Sequence, residues 1–321
     1  MDIALIAESG ATASSVMTTL DMFRIASRFA PHEDFRVQLL SAAGGPVRLT
    51  EVVTVETRPL PADFNAYQAV ILPGFFAESV DHIAAQLQTA WAPLIDRLGR
   101  LDSGTLAAAS CYGTFVLAES GLLDGLPATT TWWFEKEFRR RYPRIELDAD
   151  KTLADAGQAI TAGAMTAHTD LSLHILRRLG GAALARSVGG IMLVDGAKAS
   201  QRPFMAVQRN FSDPLVQKAT GWMLDRLEQP FSMDELADAV HASYRTLNRR
   251  FIEAAGLPPL AYLQALKIER TKELLECTQQ GFEEITAAVG YGDISSFRRL
   301  FKRSTGLSPA QYRRQFKGIA P

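Results

Sequence analysis

The chain has 321 residues, which is long enough for about two domains. Its 34 lysines and arginines nearly balance its 35 aspartates and glutamates, so the overall charge excludes a strongly basic or strongly acidic protein. Two cysteines and five scattered histidines fit neither a disulfide framework nor a metal site, and no run of about eighteen apolar residues predicts a membrane span.

The first part of the chain alternates short apolar segments with amphipathic ones. DIALIAESG begins as a buried strand and turns polar at Glu8, so we do not expect a signal peptide. The pattern predicts strands at 2–8, 35–41, 68–74 and 105–110, and helices that include 15–29 and 80–98. Such alternation is typical of a doubly wound, mostly parallel α/β sheet with helices on both faces. Ligands of these sheets bind beyond the carboxyl ends of the strands.

The pattern changes between residues 195 and 214, where small, polar and proline residues dominate. After Leu215 apolar residues recur three and four apart to the end of the chain. We therefore predict an α/β domain over residues 1–200, a linker over 201–213 and an all-α domain over 214–321. Residues 213–321 carry 15 Lys and Arg against 13 Asp and Glu, so their charge alone does not indicate nucleic-acid binding.

The predicted all-α domain contains one pattern twice. RTLNRRFIEAAGLPPLAYL begins at Arg245, and SSFRRLFKRSTGLSPAQYR begins at Ser295. A helical segment and a short turn precede each copy, and Ser243 and Asp293 are placed to cap the helix that follows. A repeated helix, short turn and helix predicts two helix-turn-helix motifs, whose second helices enter the major groove of DNA.

The second helix of each copy has a predicted buried side. In the first copy this side consists of Leu247, Phe251 and Ala254, and in the second of Phe297 and Phe301. The predicted helix between the copies, residues 260–277, would be about 27 Å long. A spacer of this length lets two recognition helices reach successive major grooves, which lie about 34 Å apart.

Another side of each second helix is polar. Arg245, Asn248 and Arg249 are spaced three and four apart in the first copy. Arginine pairs with guanine and asparagine with adenine, so these types can read bases. The corresponding side of the second copy carries Ser295, Arg298, Arg299 and Lys302. The alternative is a solvated basic helix, but two matching copies favour DNA recognition.

The repeated segments resemble a known family. LADAVHASYRTLNRRFIEAAGLPPLAYL and ITAAVGYGDISSFRRLFKRSTGLSPAQYRRQF are similar to the AraC-family DNA-binding domain, over about residues 214–316. The resemblance implies a sequence-specific transcriptional regulator, expected to be an activator, that binds double-stranded DNA and contacts RNA polymerase. The base contacts that it implies come from Arg245, Asn248, Arg249, Ser295, Ser296 and Arg299. Ile294 stands where other members often have a polar residue.

Cys111 lies between the apolar run TLAAAS and the helical pattern YGTFVLAESGLL. Strand, cysteine, any residue, glycine and helix is the arrangement of a nucleophile elbow. A helix N-terminus lowers the pKa of a thiol, so we expect Cys111 to be more reactive than Cys277, late in the connecting helix. The alternative is that Cys111 is a small buried apolar side chain.

ASCYGTFVLAESGLLDGLPATTTWW and AGAMTAHTDLSLHILRRLGG resemble the PfpI-like, glutamine-amidotransferase-like domain, whose sheet is flavodoxin-like, over residues 2 to about 195. Before an AraC-type tail, this resemblance implies a sensor of a small-molecule effector that pairs as a homodimer. It also implies that Asp21 is the acid near the elbow thiol. Histidines that family enzymes carry are replaced by Tyr112 and Thr131.

The missing histidines bear on catalysis, because a thiol without a base lacks its activating partner. We therefore predict a regulator rather than an enzyme. One alternative is a hydratase-type or amidase-type enzyme that uses Cys111 and Asp21. Another is an architectural DNA-binding protein whose first domain only forms dimers.

For the sensor we predict ligand contacts from Asp21, Cys111, Tyr112 and Trp132. Trp132 and Trp133 would supply an aromatic wall for a cationic ligand, such as a quaternary ammonium group. Adjacent strand residues face opposite ways, so one tryptophan at most lines the pocket, and the alternative is that both pack in the core. We expect no cofactor, and a reducing, cytoplasmic location.

Overall fold

The computed structural model describes residues 1–194 and 198–317. The chain forms two compact units, Met1–Gln201 and Arg202–Pro321. Residues 195–197 of the predicted α/β domain and 318–321 of the predicted all-α domain lie outside the described residues. None of the helices in the described ranges is long and apolar enough to cross a membrane.

The first unit is built on a mostly parallel sheet. Its strands are β1 (Asp2–Ile6), β2 (Arg36–Ser41), β3 (Gly45–Arg48), β4 (Thr54–Pro59), β5 (Ala69–Leu72), β6 (Leu106–Ser110), β7 (Pro127–Ala128), β8 (Glu146–Leu147), β9 (Leu153–Asp155) and β10 (Ala159–Ala162). Eight of them form one sheet in the order β3-β4-β2-β1-β5-β6-β10-β9, and β7 pairs with β8 separately. Only the edge strands β3 and β9 pair antiparallel to their neighbours in the described sheet. The four predicted strands are confirmed as β1, β2, β5 and β6.

Helices cover both faces of this sheet. They are α1 (Ala13–Phe29), α2 (Val80–Gln88), α3 (Ala92–Leu98), α4 (Gly113–Glu119), α5 (Glu135–Arg141) and α6 (Ala167–Met192). One apolar core lies under α2 to α5, and the other lies under α1 and α6. The predicted helix over 80–98 is two helices, because Pro93 in the first turn of α3 starts a new one. The chain leaves β1 towards β2 and later returns to its other side as β5, so the sheet reverses its winding between β1 and β5.

The second unit is helical. It contains α7 (Pro214–Asp225), α8 (Met233–Ala239), α9 (Tyr244–Ala255), α10 (Pro259–Cys277), α11 (Phe282–Ala288), α12 (Ile294–Thr305) and α13 (Pro309–Phe316). Ser243 caps α9 by accepting from the amide of Thr246, and Asp293 caps α12 by accepting from the amides of Ser295 and Ser296. Both predicted caps and the connecting helix α10 are therefore confirmed.

Each helix-turn-helix motif has its own apolar core. Leu247 and Phe251 of α9 are fully buried in the first core, and Phe297 and Phe301 of α12 are fully buried in the second. Ala254 is only half-buried. Helix α10 contributes to both cores and so joins the two motifs.

After Gln201, which belongs to the first unit, the segment predicted as a linker makes contacts within the second unit. It continues with the 3-10 turn Arg202–Phe204. The hydroxyl of Tyr262 donates to the carbonyl of Gln208 at 2.7 Å, and the ammonium of Lys272 donates to the carbonyl of Met205 at 2.6 Å. Composition alone therefore does not reveal how this stretch packs, and the domain limits stay a prediction.

Candidate DNA-binding helices and the Cys111 elbow

Helix α9 presents its predicted base-reading side to solvent. Arg245 and Arg249 are exposed, and Asn248 is half-buried. The guanidinium of Arg249 donates to the carboxylate of Glu253, one turn further on, at 2.9 Å. This pair is exposed on both sides, so it contributes little stability and leaves the arginine available for another partner.

Helix α12 repeats the arrangement. Ser295 and Arg299 are exposed and Ser296 is half-buried, all near the start of the helix. Arg298 is placed differently, because its guanidinium lies over the ring of Phe282 at 5.3 Å from the centroid. Ile294 is 36% exposed. Two capped helices thus carry exposed arginine and serine, with a half-buried asparagine, in their first two turns, and the N-terminal part of such a helix contacts base edges in helix-turn-helix proteins.

The first unit contains a strained turn at Cys111. Strand β6 ends at Ser110 and α4 begins at Gly113, and Cys111 between them has a φ of +54°. A non-glycine residue in this left-handed region costs about 1–3 kcal/mol, so the surrounding contacts must hold it. The amide of Cys111 donates to the carbonyls of Ala162 and Gly163 at 3.1 and 2.9 Å, and its own carbonyl accepts from the hydroxyl of Thr130 at 3.0 Å.

The glycine of the Cys-x-Gly pattern has a packing reason. A Cβ atom at Gly113 would lie 2.8 Å from the carbonyl oxygen of Pro73 and 2.9 Å from that of Leu72. The start of α4 therefore lies directly against the end of β5, which positions the elbow at the carboxyl edge of the sheet, one strand from the point where the winding reverses.

The thiol of Cys111 differs from the sequence-based expectation. The residue is only 8% exposed, and Gly74 is so close that a Cβ there would lie 2.7 Å from the Cβ of Cys111. Burial raises the pKa of the Cys111 thiol to about 12, although the amide of Tyr112 acts against this. The expected lowering of the pKa is thus reversed, because desolvation outweighs the dipole of a helix of seven residues. The thiol is protonated at neutral pH.

Asp21 is not placed as the acid of this elbow. Its side chain is 60% exposed and lies 3.7 Å from that of Arg24 on the same helix. Thr19, Met22 and Phe23 point into the core, so residue 21 falls on the solvent side of α1. The prediction of a site that pairs Cys111 with Asp21 is therefore corrected, because the Asp21 carboxylate is exposed to solvent whereas the Cys111 thiol is buried.

His168 forms a buried network that sequence reasoning missed. Its Nε2 lies 2.8 Å from the hydroxyl of Thr19 on α1, and its Nδ1 lies 2.8 Å from the hydroxyl of Ser110 at the end of β6. Burial lowers the pKa of His168 to about 4, so the ring is neutral at pH 7. Because both ring nitrogens are occupied by hydroxyls, the histidine is not available as a base for Cys111.

Aromatic side chains gather beside the elbow. Tyr112 is buried, and its hydroxyl accepts a 2.7 Å hydrogen bond from Nε1 of Trp133. Trp132 is half-buried and meets Trp133 edge to face, with ring centroids 4.6 Å apart. The strand expected here is wrong, because Trp132–Phe134 forms a 3-10 turn and the strand rule of opposite faces does not apply. Trp133, at 43% exposed, is the more accessible of the two.

Gln201, the last residue of the first unit, is buried close to the elbow. Its Nε2 lies within hydrogen-bonding distance of the carbonyls of Thr130, Ala149 and Lys151, at 2.8 to 3.0 Å. Its Oε1 accepts from the amide of Ala164 at 2.8 Å. A Cβ at Gly163 would overlap this side-chain amide, so Gly163 is the residue that leaves room for it. No periodic or motif signal marks this glutamine in the sequence.

Two exposed, capped recognition helices on a tandem helix-turn-helix unit define a DNA-binding regulator. The doubly wound sheet with a cysteine elbow that precedes them has the flavodoxin-type arrangement expected from the sequence. The comparisons agree with this class, since residues 236–315 match the family model described as a helix-turn-helix domain.

Relatives cover nearly the whole chain. The HTH-type transcriptional regulator CdhR of Pseudomonas aeruginosa is 27% identical over 312 residues, which are 95% of this chain and 89% of that protein. The HTH-type transcriptional regulator GbdR of the same species is 24% identical over 307 residues, 94% of this chain and 81% of that one. A crystal structure of an AraC family transcriptional regulator from Pseudomonas putida covers 60% of this chain and 98% of its own, with 17% identity and a TM-score of 0.48. The chain is thus similar over nearly its whole length to HTH-type transcriptional regulators, and it is a DNA-binding regulator with a carboxyl-terminal helix-turn-helix domain.

Proposed function

We propose that the first unit binds a small effector beside the Cys111 elbow, and that occupancy changes the DNA affinity of the second unit. The observation that carries this proposal is an elbow with a strained backbone, whose thiol is buried with a raised pKa, while the buried His168 bonds to hydroxyls rather than to that thiol. Strain held at such a turn is typical of functional sites. Without an activated nucleophile, the function that fits the elbow is binding rather than turnover.

Exposed apolar side chains support this location. Phe76 is 64% exposed and follows β5, Met165 is 45% exposed and follows β10, and Met17 is 37% exposed near the start of α1. With Trp133, they lie in segments that leave the carboxyl edge of the sheet or contact the elbow. Apolar side chains on segments that leave one edge of the sheet would supply the apolar contacts of a small ligand. Such sheets bind ligands where their winding reverses.

A buried hydroxyl adds a polar group to this region. Thr131 is fully buried, and its Oγ1 has no hydrogen-bond partner among the described residues. Buried polar groups are rarely left without partners, so an effector or a water molecule would complete this one. An effector with an apolar body and one hydrogen-bonding group fits the combination. Tyr112 and Trp132 remain our proposed contacts, and Asp21 does not.

Gln201 offers a route from the effector to the DNA-binding unit. Gln201, at which the first unit ends, bonds to the backbone of Thr130 and Ala164. The hydroxyl of Thr130 and the carbonyl of Gly163, the residue before Ala164, bond to the backbone of Cys111. An effector that shifts either segment would change how firmly the end of the unit is held. If the hydrogen bonds of Gln201 differ between two conformations of the regulator, the effector would favour one of these conformations over the other.

We further propose that the protein is a homodimer in the cytoplasm that regulates RNA polymerase. Two-fold dimers are the commonest oligomers. Phe29, at the end of α1, and Ile191, in the last turn of α6, are more than half exposed, and a second copy would cover them. The polymerase contact rests on the family alone.

One experiment separates sensing from catalysis. Full-length protein is screened against metabolites by thermal shift, and each hit is tested for its effect on binding to a DNA duplex selected from a random pool. We expect at least one hit to change DNA affinity while being recovered unaltered. Stoichiometric or catalytic conversion of an isocyanide, amide or aldehyde, lost in Cys111→Ala, would instead establish an enzyme.

A further inference from the structure

The side chain of Lys267 is buried between the two helix-turn-helix motifs. Lys267 lies near the middle of α10 and is 5% exposed. Its ammonium donates to the carbonyl oxygens of Leu227 at 2.9 Å, Val289 at 2.5 Å and Gly290 at 3.0 Å. An ammonium has three donors, so each proton has a backbone acceptor. Hydrogen bonds from a charged donor are about twice as strong as neutral ones.

These acceptors belong to both motifs. Leu227 follows α7, which packs in the first core together with α8 and α9. Val289 and Gly290 form the turn between α11 and α12 of the second motif. Along α10, Leu266 is part of the first core and Ile268 is part of the second. Lys267 therefore stands where the two cores meet.

Gly290 allows the close approach of the turn to the end of α7. Its φ is +64°, which glycine adopts without strain. A Cβ atom here would lie 2.7 Å from the carbonyl oxygen of Glu228 and 3.1 Å from Nζ of Lys267. The turn of the second motif is thus fitted against the first motif, with the lysine as the hydrogen-bonded link.

We propose that Lys267 is a positioning residue that fixes the second motif relative to the first, and thereby sets the spacing of the DNA half-sites that α9 and α12 read together. Without its ammonium, the turn before α12 loses its bond to the end of α7, and the two motifs remain joined mainly through α10. Binding of the second half-site then adds less to the overall DNA affinity, because two linked binding modules raise affinity only when their geometry matches that of the two sites. This proposal rests on both helices reading one duplex.

The test uses full-length protein and Lys267→Met, which keeps the side-chain length and removes the three donors. The probes are a selected duplex with half-sites mapped by footprinting, the same duplex with the α12 half-site scrambled, and duplexes with one to five inserted base pairs. We expect affinity for the intact duplex to fall about 10-fold to 100-fold, well within the gain that linkage provides. Affinity for the half-scrambled duplex stays within about two-fold of the parent's, and affinity depends less on the number of inserted base pairs. Lys267→Arg restores the affinity for the intact duplex and its dependence on spacing.

Lys272→Met is the matched control. Lys272 is a second buried lysine on α10, but it donates to Met205 and Glu269 and to neither helix-turn-helix turn. We expect this variant to keep the spacing dependence of the parent. The proposal is overturned if Lys267→Met keeps the parent's affinity and spacing preference, if the half-scrambled duplex loses as much affinity as the intact one, or if Lys272→Met has the same effect.

Hydrogen exchange of the DNA-free protein gives a readout that does not depend on DNA reading. In Lys267→Met we expect faster exchange of the amides at residues 290–292, while α9 and α12 keep their protection. If a second half-site does not raise the DNA affinity of the parent, the two helices do not read one duplex together. The exchange measurement still tests whether Lys267 holds the turn before α12, and unchanged exchange at this turn in Lys267→Met overturns that role.

Discussion

The hydroxyl of Thr130 donates a 3.0 Å hydrogen bond to the carbonyl oxygen of Cys111. The carbonyl of the same threonine accepts a 2.9 Å hydrogen bond from Gln201. The elbow is therefore connected through one residue to the point at which the first unit ends. Under the proposed function, an effector bound beside Cys111 would act on Gln201 through these hydrogen bonds.

Gln201→Leu is predicted to uncouple effector binding from DNA binding. The leucine fills similar space but leaves the amide of Ala164 without its acceptor, which costs about 1–3 kcal/mol in a buried site. We expect effector affinity within about three-fold of the parent and loss of most of the effector's influence on DNA affinity. Thermal shift and fluorescence anisotropy on the same preparations measure the two quantities.

Gln158→Leu provides the comparison for Gln201→Leu. Gln158 also donates from Nε2 to backbone carbonyls, those of Asp102 and Thr105, but it precedes β10 rather than following it. We expect this variant to retain the DNA response to effector. Equal loss of response in both variants would mean that general loosening of the sheet, not the Gln201 connection, accounts for the effect.

Thiol labelling is predicted to favour Cys277 over Cys111. Cys277 is exposed at the end of α10, whereas Cys111 is buried with its pKa raised to about 12 by desolvation. The thiolate is the reactive form, so Cys111 reacts slowly both because it is buried and because its raised pKa keeps it protonated. Mass spectrometry after iodoacetamide treatment at pH 7.5 measures the order. Preferential labelling of Cys111 in the folded protein would show that its thiol is activated, as the sequence suggested.

The same thiol predicts a pH dependence of stability. The folded state holds the Cys111 proton more tightly than the unfolded state, since the pKa rises from 9.0 to about 12 on folding. This stabilisation is fully present below pH 9 and is lost as the pH rises from 9 towards 12. At pH 10 the loss is about 1 kcal/mol. Urea unfolding of the first unit at pH 8 and pH 10 should show a smaller decrease in Cys111→Ala than in the parent, and equal decreases would contradict the assignment.

The sequence predicts those features that repeat or that form continuous apolar runs. Strands β1, β5 and β6 are buried on both faces, so each is a short apolar segment that stands out from its flanks. Strands β3 and β4 escaped detection because they lie at an edge and alternate half-buried with exposed residues. The helix-turn-helix motifs were predictable because cap, buried face and exposed face occur twice at one spacing.

The site itself is less accessible to sequence reasoning. Gln201 acquires its role from carbonyl partners 50 to 71 residues upstream, and no local pattern encodes such contacts. His168 reads as part of an ordinary helix until α1 and β6 place hydroxyls on both ring nitrogens. Asp21 was misplaced because a motif fixes a position along the chain, whereas the helix face is fixed by what packs beneath it.

The apolar ends of α1 and α6 predict the oligomeric state. Phe29 is 52% exposed and Ile191 is 55% exposed, and a dimer interface that covered them would bury two large apolar side chains in each subunit. We expect light scattering of the full chain at micromolar concentration to give twice the monomer mass of 35.1 kDa. Ile191→Glu should shift the equilibrium towards monomer without changing the far-UV circular dichroism. A monomer mass for the parent, with and without effector, would contradict the proposed homodimer.

The exposed arginines of the recognition helices predict loss of specific DNA binding. Arg249→Ala and Arg299→Ala should each weaken binding to the selected duplex by about 1–3 kcal/mol, the usual contribution of a bidentate base contact. Discrimination should relax at one base pair and persist at the others. An arginine that only contacts phosphate would instead weaken all duplexes alike and reduce the salt dependence by about one ion.

Glu253→Gln is the control on the same helix, because Glu253 holds the guanidinium of Arg249 in the free protein. Removing that carboxylate releases the arginine and takes a negative charge away from the DNA-facing side, so we expect equal or tighter binding. Competition measurements on duplexes that carry single base-pair changes distinguish base reading from phosphate contact for each variant. If Arg249→Ala binds the selected duplex as tightly and as selectively as the parent, then α9 does not read DNA through this side.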